Sequence, residues 1–189
     1  MRNLILLSIA ILTINLTHAQ FALDNMESYG GGNTVILGGP WTSWDGSTNT
    51  AMFSSSAQAQ SGSLSGYVDG STSMDPILKL GNKIFGSWGV KFSVYIPTGK
   101  IGYWNMQGTE APGIQWVVGN IFMGNSGIGG DDEMTGRIDL STGDQTDDFV
   151  FQFPKDQWFD IVMNFDFNAG PSFSTWAMWV NNVNAVPAG

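Results

Sequence analysis

Between Trp88 and Ile96 every second residue is apolar: Trp88, Val90, Phe92, Val94 and Ile96 fall on one side, with Gly89, Lys91, Ser93 and Tyr95 between them. A side-chain period of two belongs to an extended strand with one buried face, and it does not fit a helix of period 3.6. The pattern returns over Trp158–Phe167, where Phe159, Ile161, Met163, Phe165 and Phe167 oppose Asp160, Asn164 and Asp166. Phe149, Phe151 and Phe153 alternate with Val150 and Gln152, and Trp176, Met178 and Val180 repeat the spacing. After Gln20 no stretch carries apolar residues at helical spacing over three turns. The chain therefore reads as all-β.

Turn chemistry separates these runs. Pro97-Thr98-Gly99-Lys100 closes the first, Ile101–Gln107 reads as the next strand, and Gly113–Met123 as another. Many short strands between Gly, Asn, Asp, Ser and Pro point to a two-sheet antiparallel β-sandwich. The Ser-, Thr- and Gly-rich segment Ser43–Ser65 could serve as a linker, but Ala51-Met52-Phe53 and Tyr67-Val68 read as strands interrupted by surface loops. Gly124–Gly130 is a loop followed by the acidic run Asp131-Asp132-Glu133. No internal repeat or second domain is visible.

The first 19 residues read as an export signal: Arg2, then the apolar run Leu4–Ile14, then Thr17-His18-Ala19 before Gln20. That run is too short to cross roughly 30 Å of hydrocarbon, and no later segment is continuously apolar, so no transmembrane segment is expected. The domain reading is a leader at 1–19 and a single sandwich at 20–189, with a secreted or cell-surface location.

Beyond the leader the chain has no histidine, since its one His is His18, and it has no cysteine anywhere. Ser-His-Asp and Cys-His nucleophile systems are thereby excluded, as are thiolate and imidazole metal sites. Stability must come from the core alone, although export would permit disulfides. Removing Arg2 with the leader takes the net charge from −9 to −10. An acidic surface disfavours nucleic acid, whose binding is dominated by cationic contacts to phosphate.

Five segments together resemble the concanavalin A-like (LamG-type) jelly-roll domains of secreted Bacteroidota proteins, of the kind found in chains with a type IX secretion sorting tail. They are Asp24–Tyr29, Trp41–Asp45, Ala59–Gly62, Val94–Gln107 and Gln157–Val162, and Val94–Gln107 is the most specific. The resemblance implies a curved jelly roll used mainly for binding, often of carbohydrate. It also implies further domains in a longer chain and at least one strand beyond Trp176–Asn182. With the sequence ending at Gly189, truncation of the domain at that end stays open.

Tyr103, Asn105 and Gln107 share one face of their strand by alternation, with Trp104 and Met106 on the other. An aromatic ring beside amides suits sugar recognition, because the ring covers C–H patches while amides both donate to and accept from hydroxyls. Trp116 and Asn120 on the following strand would extend that surface. The competing reading makes Trp116 a core residue and the amides a solvated face. Trp41 and Trp44 fit better as caps on the end of a sandwich than as exposed anchors, and Trp88, Trp104, Trp158 and Trp176 as packing residues.

Calcium is the metal that an oxygen-only donor set can take, with Asp24 and Glu27 as candidate ligands of a structural ion; no other cofactor is implied. Asn164–Asn168 imitates a calcium loop, but Ala169 stands where glycine is needed and the alternating phenylalanines indicate a strand. Asp131–Glu133, Asp144, Asp147 and Asp148 read as solvated loops.

Retaining glycosidases need two carboxylates about 5–5.5 Å apart, and no run of alternating acids supplies them here. A polysaccharide lyase is equally short of a base and of arginines, with only Arg137 left after the leader. The expectation is a secreted, non-catalytic module that binds a glycan or cell-surface polymer. A structural spacer or self-association domain is the alternative, and a divergent glycoside hydrolase or lyase a further one.

Overall fold

A computed structural model describes residues 23–70, 73–108, 116–124, 133–140, 149–170 and 173–187, with the side chains of residues 116 and 117 outside that set. The expected leader, the acids Asp131, Asp132, Asp144, Asp147 and Asp148, and part of the expected strand from Gly113 also lie outside it. The described strands are β1 (Val35–Ile36), β2 (Trp41–Ser43), β3 (Met52–Ser55), β4 (Ser65–Tyr67), β5 (Pro76–Leu78), β6 (Ser87–Tyr95) and β7 (Gly102–Gln107). They continue as β8 (Trp116–Met123), β9 (Thr135–Asp139), β10 (Phe149–Gln152), β11 (Trp158–Asp166), β12 (Thr175–Val180) and β13 (Val183–Val186). A 3-10 turn at Glu27–Tyr29 precedes them. No described helix is long and apolar enough to cross a membrane.

Two four-stranded antiparallel sheets, in the orders β10-β9-β8-β7 and β13-β12-β11-β6, make a sandwich-like arrangement. Their inner faces share one core. The first sheet supplies Val118, Ile121, Met123, Ile138 and Phe151, and the second Phe159, Ile161, Met163, Phe165, Met178, Val180 and Val186. Ile121, Ile138, Ile161, Met163 and Met178 are fully buried. Each such side chain contributes about 1.5–3 kcal/mol through removal from water, which is how a chain without disulfides is held. Phe92 on β6 meets Trp104 on β7 edge to face, with centroids 5.1 Å apart, and so joins the two sheets. The Trp104 indole N–H is buried there without a partner among the described residues.

The alternation read in β6 and β11 is the alternation observed. Nine residue pairs register the two strands, from Trp158 opposite Tyr95 to Asp166 opposite Ser87. The Pro97–Lys100 turn closes with Lys100 N donating to Pro97 O at 3.0 Å. Asp156 pins it from outside, accepting from Thr98 N at 2.9 Å and Thr98 Oγ1 at 2.6 Å. Glu133 accepts from Gly99 N at 3.0 Å. Beyond Trp176–Asn182 lies β13, which pairs with β12 through the two-residue loop Asn181-Asn182.

The N-terminal part adds a three-stranded sheet, β1-β3-β4, and the pair β2-β5. Ile36, Ala51, Met52 and Leu64 are buried there. Ser54, the one polar residue buried on β3, donates to Gly30 O at 3.0 Å and accepts from Thr34 N at 3.2 Å.

Candidate functional site

On the outer face of the β10-β9-β8-β7 sheet, cross-strand pairing sets side chains in rows. Tyr103, Phe122, Arg137 and Val150 form one row across all four strands, and Asn105, Asn120 and Asp139 form the next. The aromatic row is packed as a unit. The Tyr103 and Phe122 rings lie 5.2 Å apart, and the Arg137 guanidinium sits 5.5 Å from the Phe122 centroid. Packing on Phe122 holds the Tyr103 ring in place while 54% of the residue stays exposed.

Hydrogen bonds tie the two rows together. The Tyr103 hydroxyl donates to Asn120 Oδ1 at 2.6 Å and accepts from Asn105 Nδ2 at 2.8 Å. The exposed ring thus stands beside two amides whose orientation its hydroxyl sets. Beyond these bonds Asn120 Nδ2 is a donor and Asn105 Oδ1 an acceptor.

Of the five residues expected at this surface, Tyr103, Asn105 and Asn120 are brought into one network. Gln107 follows on β7, and its backbone partner is Trp116. Two β7 residues span Asn105 to Gln107, whereas four β8 residues span Asn120 to Trp116, so β8 bulges. The bulge centres on Gly119, at φ +77°. Across it Val118 is buried in the core while Asn120 stands on the outer face, two residues away. Period-two counting from Asn120 therefore fails to place Trp116, whose side chain lies outside the described residues. Phe122, Arg137 and Asp139 were not read as part of this face; Phe122 follows from alternation with Asn120 on the near side of the bulge.

The two carboxylates considered for calcium are engaged by protein donors. Asp24 Oδ2 accepts from the Tyr29 hydroxyl at 2.6 Å and from Trp41 Nε1 at 2.7 Å, while Oδ1 accepts from Met26 N at 2.8 Å. Glu27 Oε1 accepts from Ser63 N and Leu64 N, both at 2.8 Å. The acids act as staples between the N-terminal turn and the loops around Trp41 and Leu64. Desolvation by burial, reinforced by Asp24, pushes the Tyr29 phenol up to about 12. Among the described residues, no three His, Cys, Asp or Glu side chains are grouped to hold a metal ion.

Trp41 is the half-buried member of its pair and Trp44 the exposed one. On the second sheet's outer face Trp158 packs on Tyr95 with centroids 5.7 Å apart. Beside them Lys91 Nζ pairs with Asp160 Oδ2 at 2.7 Å, and Ser93 Oγ donates to Asp160 Oδ1 at 2.6 Å. Lys91, and then Ser93, hold the Asp160 carboxyl below its usual range. Comparison with family models, with curated proteins and with solved structures finds no match to this chain.

Proposed function

We propose that this chain is a secreted, non-catalytic jelly-roll module of the concanavalin A-like type that binds glycan on a cell surface or in a larger exported protein. The observation that carries this reading is the exposed Tyr103 ring fixed between Asn105 and Asn120 by bonds of 2.8 and 2.6 Å. A ring face offers contact to sugar C–H groups, and oriented amides offer paired donors and acceptors at little entropic cost. The acidic composition supports a neutral rather than polyanionic ligand.

Binding without turnover is supported by the spacing of acids on β11. Asp160 and Asp166 share its outer face six residues apart, which is about 20 Å along a strand and far beyond the separation of a glycosidase pair. A glycan array probed with wild type and with the Tyr103→Ala, Asn105→Ala double variant tests the proposal. Binding weakened more than tenfold in the double variant supports it. An array silent for the wild type, or unchanged signals in the variant, rejects it.

Self-association is the second reading, favoured by the exposure of Ile84, Phe85, Phe173 and Val183. Light scattering across a concentration series distinguishes it, since a monomer at high concentration excludes it.

A further inference from the structure

The outer face of the second sheet carries a groove of about 520 Å³ running across β6, β11 and β12. Its origin is legible in the pairing. Asn164 on β11 lies between Gly89 on β6 and Ala177 on β12, so one row of the sheet has small residues on both flanks of an amide. The row on one side is tall, with Trp179 beside Val162. The row on the other side is polar: Ser87, Asp166 and Thr175. Missing side-chain volume at Gly89 and Ala177, between an indole and a carboxylate, makes the depression.

Its polar groups are available. Asn164, Thr175 and the Trp179 indole N–H have no hydrogen-bond partner among the described residues, and Asn164 is exposed. Asp166 Oδ1 accepts from Asn168 N at 2.9 Å and Asn168 Nδ2 at 2.8 Å, leaving Oδ2 open. Asn168 Nδ2 also donates to Ser87 Oγ at 3.1 Å, which fixes the polar end of the groove. The nearest lysine on the tall side, Lys91, is committed to Asp160 at 2.7 Å. Asp166 is thus the carboxylate that lines the groove, while Lys83 Nζ lies 4.5 Å from the ring centroid of Trp88, another lining residue.

We infer that this groove is a second carbohydrate subsite, on the sheet opposite Tyr103, for an uncharged pyranose. It rests on the glycan-binding reading above but not on the Tyr103 surface. The volume falls in the range of small-ligand sites, about 300–1,000 Å³. Trp179 provides the apolar wall, Asn164 a donor and acceptor on the floor, and Asp166 Oδ2 and Thr175 acceptors and a donor for hydroxyls. The Asp166 carboxylate at its polar end disfavours uronic acids and sulfated sugars.

Calorimetric titration of the whole purified chain with cellohexaose, laminarihexaose, chitohexaose and hexagalacturonate tests the inference. Three variants are compared with wild type: Asn164→Ala, Gly89→Leu and Tyr103→Ala. Gly89 is suited to filling the floor, because a Cβ there meets only Asn164 Oδ1 at 3.5 Å and Met163 O at 3.8 Å, both ordinary contacts. The expected result is binding of a neutral hexasaccharide weakened at least tenfold by Asn164→Ala and by Gly89→Leu, with measurable binding retained in Tyr103→Ala. Binding abolished by Tyr103→Ala and untouched by both groove variants overturns the groove while keeping the glycan-binding reading. No binding of any hexasaccharide by wild type overturns both. Hexagalacturonate binding as tightly as the neutral sugars, and lost with the groove variants, overturns the assigned ligand class.

Discussion

Tyr103 and Asn120 meet across β7 and β8, the phenol donating to Oδ1 at 2.6 Å, although the two residues are diagonal rather than directly paired. The direct partner of Tyr103 is Phe122, whose ring supports it from the side. The aromatic contact therefore positions the ring, while the hydroxyl positions the amides.

Tyr103→Phe separates these two roles. The ring and its packing on Phe122 remain, but Asn120 and Asn105 lose the oxygen that orients them. Both hydrogen bonds go, and re-ordering two freed amides on binding costs at least about 1 kcal/mol together, so affinity for a glycan should fall about fivefold or more. Tyr103→Ala should cost more than tenfold by removing the contact surface as well. Melting temperatures should stay near wild type in both, because the residue is exposed. Isothermal titration beside a thermal melt reads both quantities.

The Asp24 staple predicts an alkaline dependence of stability. The folded Tyr29 phenol lies near 12, above its ordinary value of 10, so its neutral form is favoured by folding. Its contribution is complete below about pH 10 and is lost as pH rises toward 12. Absorbance of tyrosinate should show one phenol titrating late, and Asp24→Ala should bring it back toward the ordinary range. The same substitution also strands the Trp41 indole N–H, and about 2 kcal/mol of stability should go with it, read as a shifted urea midpoint. At the acid end Asp45 behaves oppositely. Thr50 first, then Ser47, hold it at about 2 rather than 3.8, so its contribution is present above pH 4 and fades toward pH 2.

The β12–β13 hairpin predicts a stabilising substitution. Asn181 and Asn182 sit at φ +48° and +64° between the paired residues Val180 and Val183. Two positive φ values in a two-residue loop are the demand of a type I′ turn, for which Asn-Gly is preferred. Asn182→Gly should therefore raise stability by about 0.5 kcal/mol, visible as a higher urea midpoint with an unchanged slope. A lowered midpoint would reject this turn assignment.

What was legible in the sequence, and what was not, divides along the same physical lines. Strands β6, β7, β10, β11 and β12 announce themselves because their inward positions are large and apolar. Strand β9 hides because one inward position is Gly136, where a Cβ would meet the Phe151 ring at 2.3 Å. The Phe151 ring fills the volume that an apolar side chain on β9 would otherwise occupy. Strand β13 hides because its turn is two asparagines, which read equally well as surface loop. Trp179 was available from the alternation that put Trp176, Met178 and Val180 inside, but its significance depends on Gly89, ninety positions earlier. Tyr103 and Asn105 lie on one strand and were readable, whereas Trp116 lies beyond a bulge that interrupts the period.

That bulge yields the sharpest structural prediction. Gly119 and Gly70 have the same backbone angle, φ +77° and +78°, so both carry the same left-handed penalty for any other residue. Around Gly70 there is nothing within 4 Å, whereas a Cβ at Gly119 would lie 2.2 Å from the Asp139 carbonyl oxygen. Gly70→Ala should then cost only the backbone term, about 1–2 kcal/mol. Gly119→Ala must also push β9 away from β8, breaking the pairing of Asn120 with Asp139, and should lose more than about 3 kcal/mol. Because Asn120 also carries the hydrogen bond to Tyr103, glycan affinity should drop with it, while Gly70→Ala leaves affinity unchanged. Urea midpoints for the two variants give the comparison directly. Equal shifts would mean that the backbone angle alone governs Gly119, and that β8 can accept a side chain at its bulge.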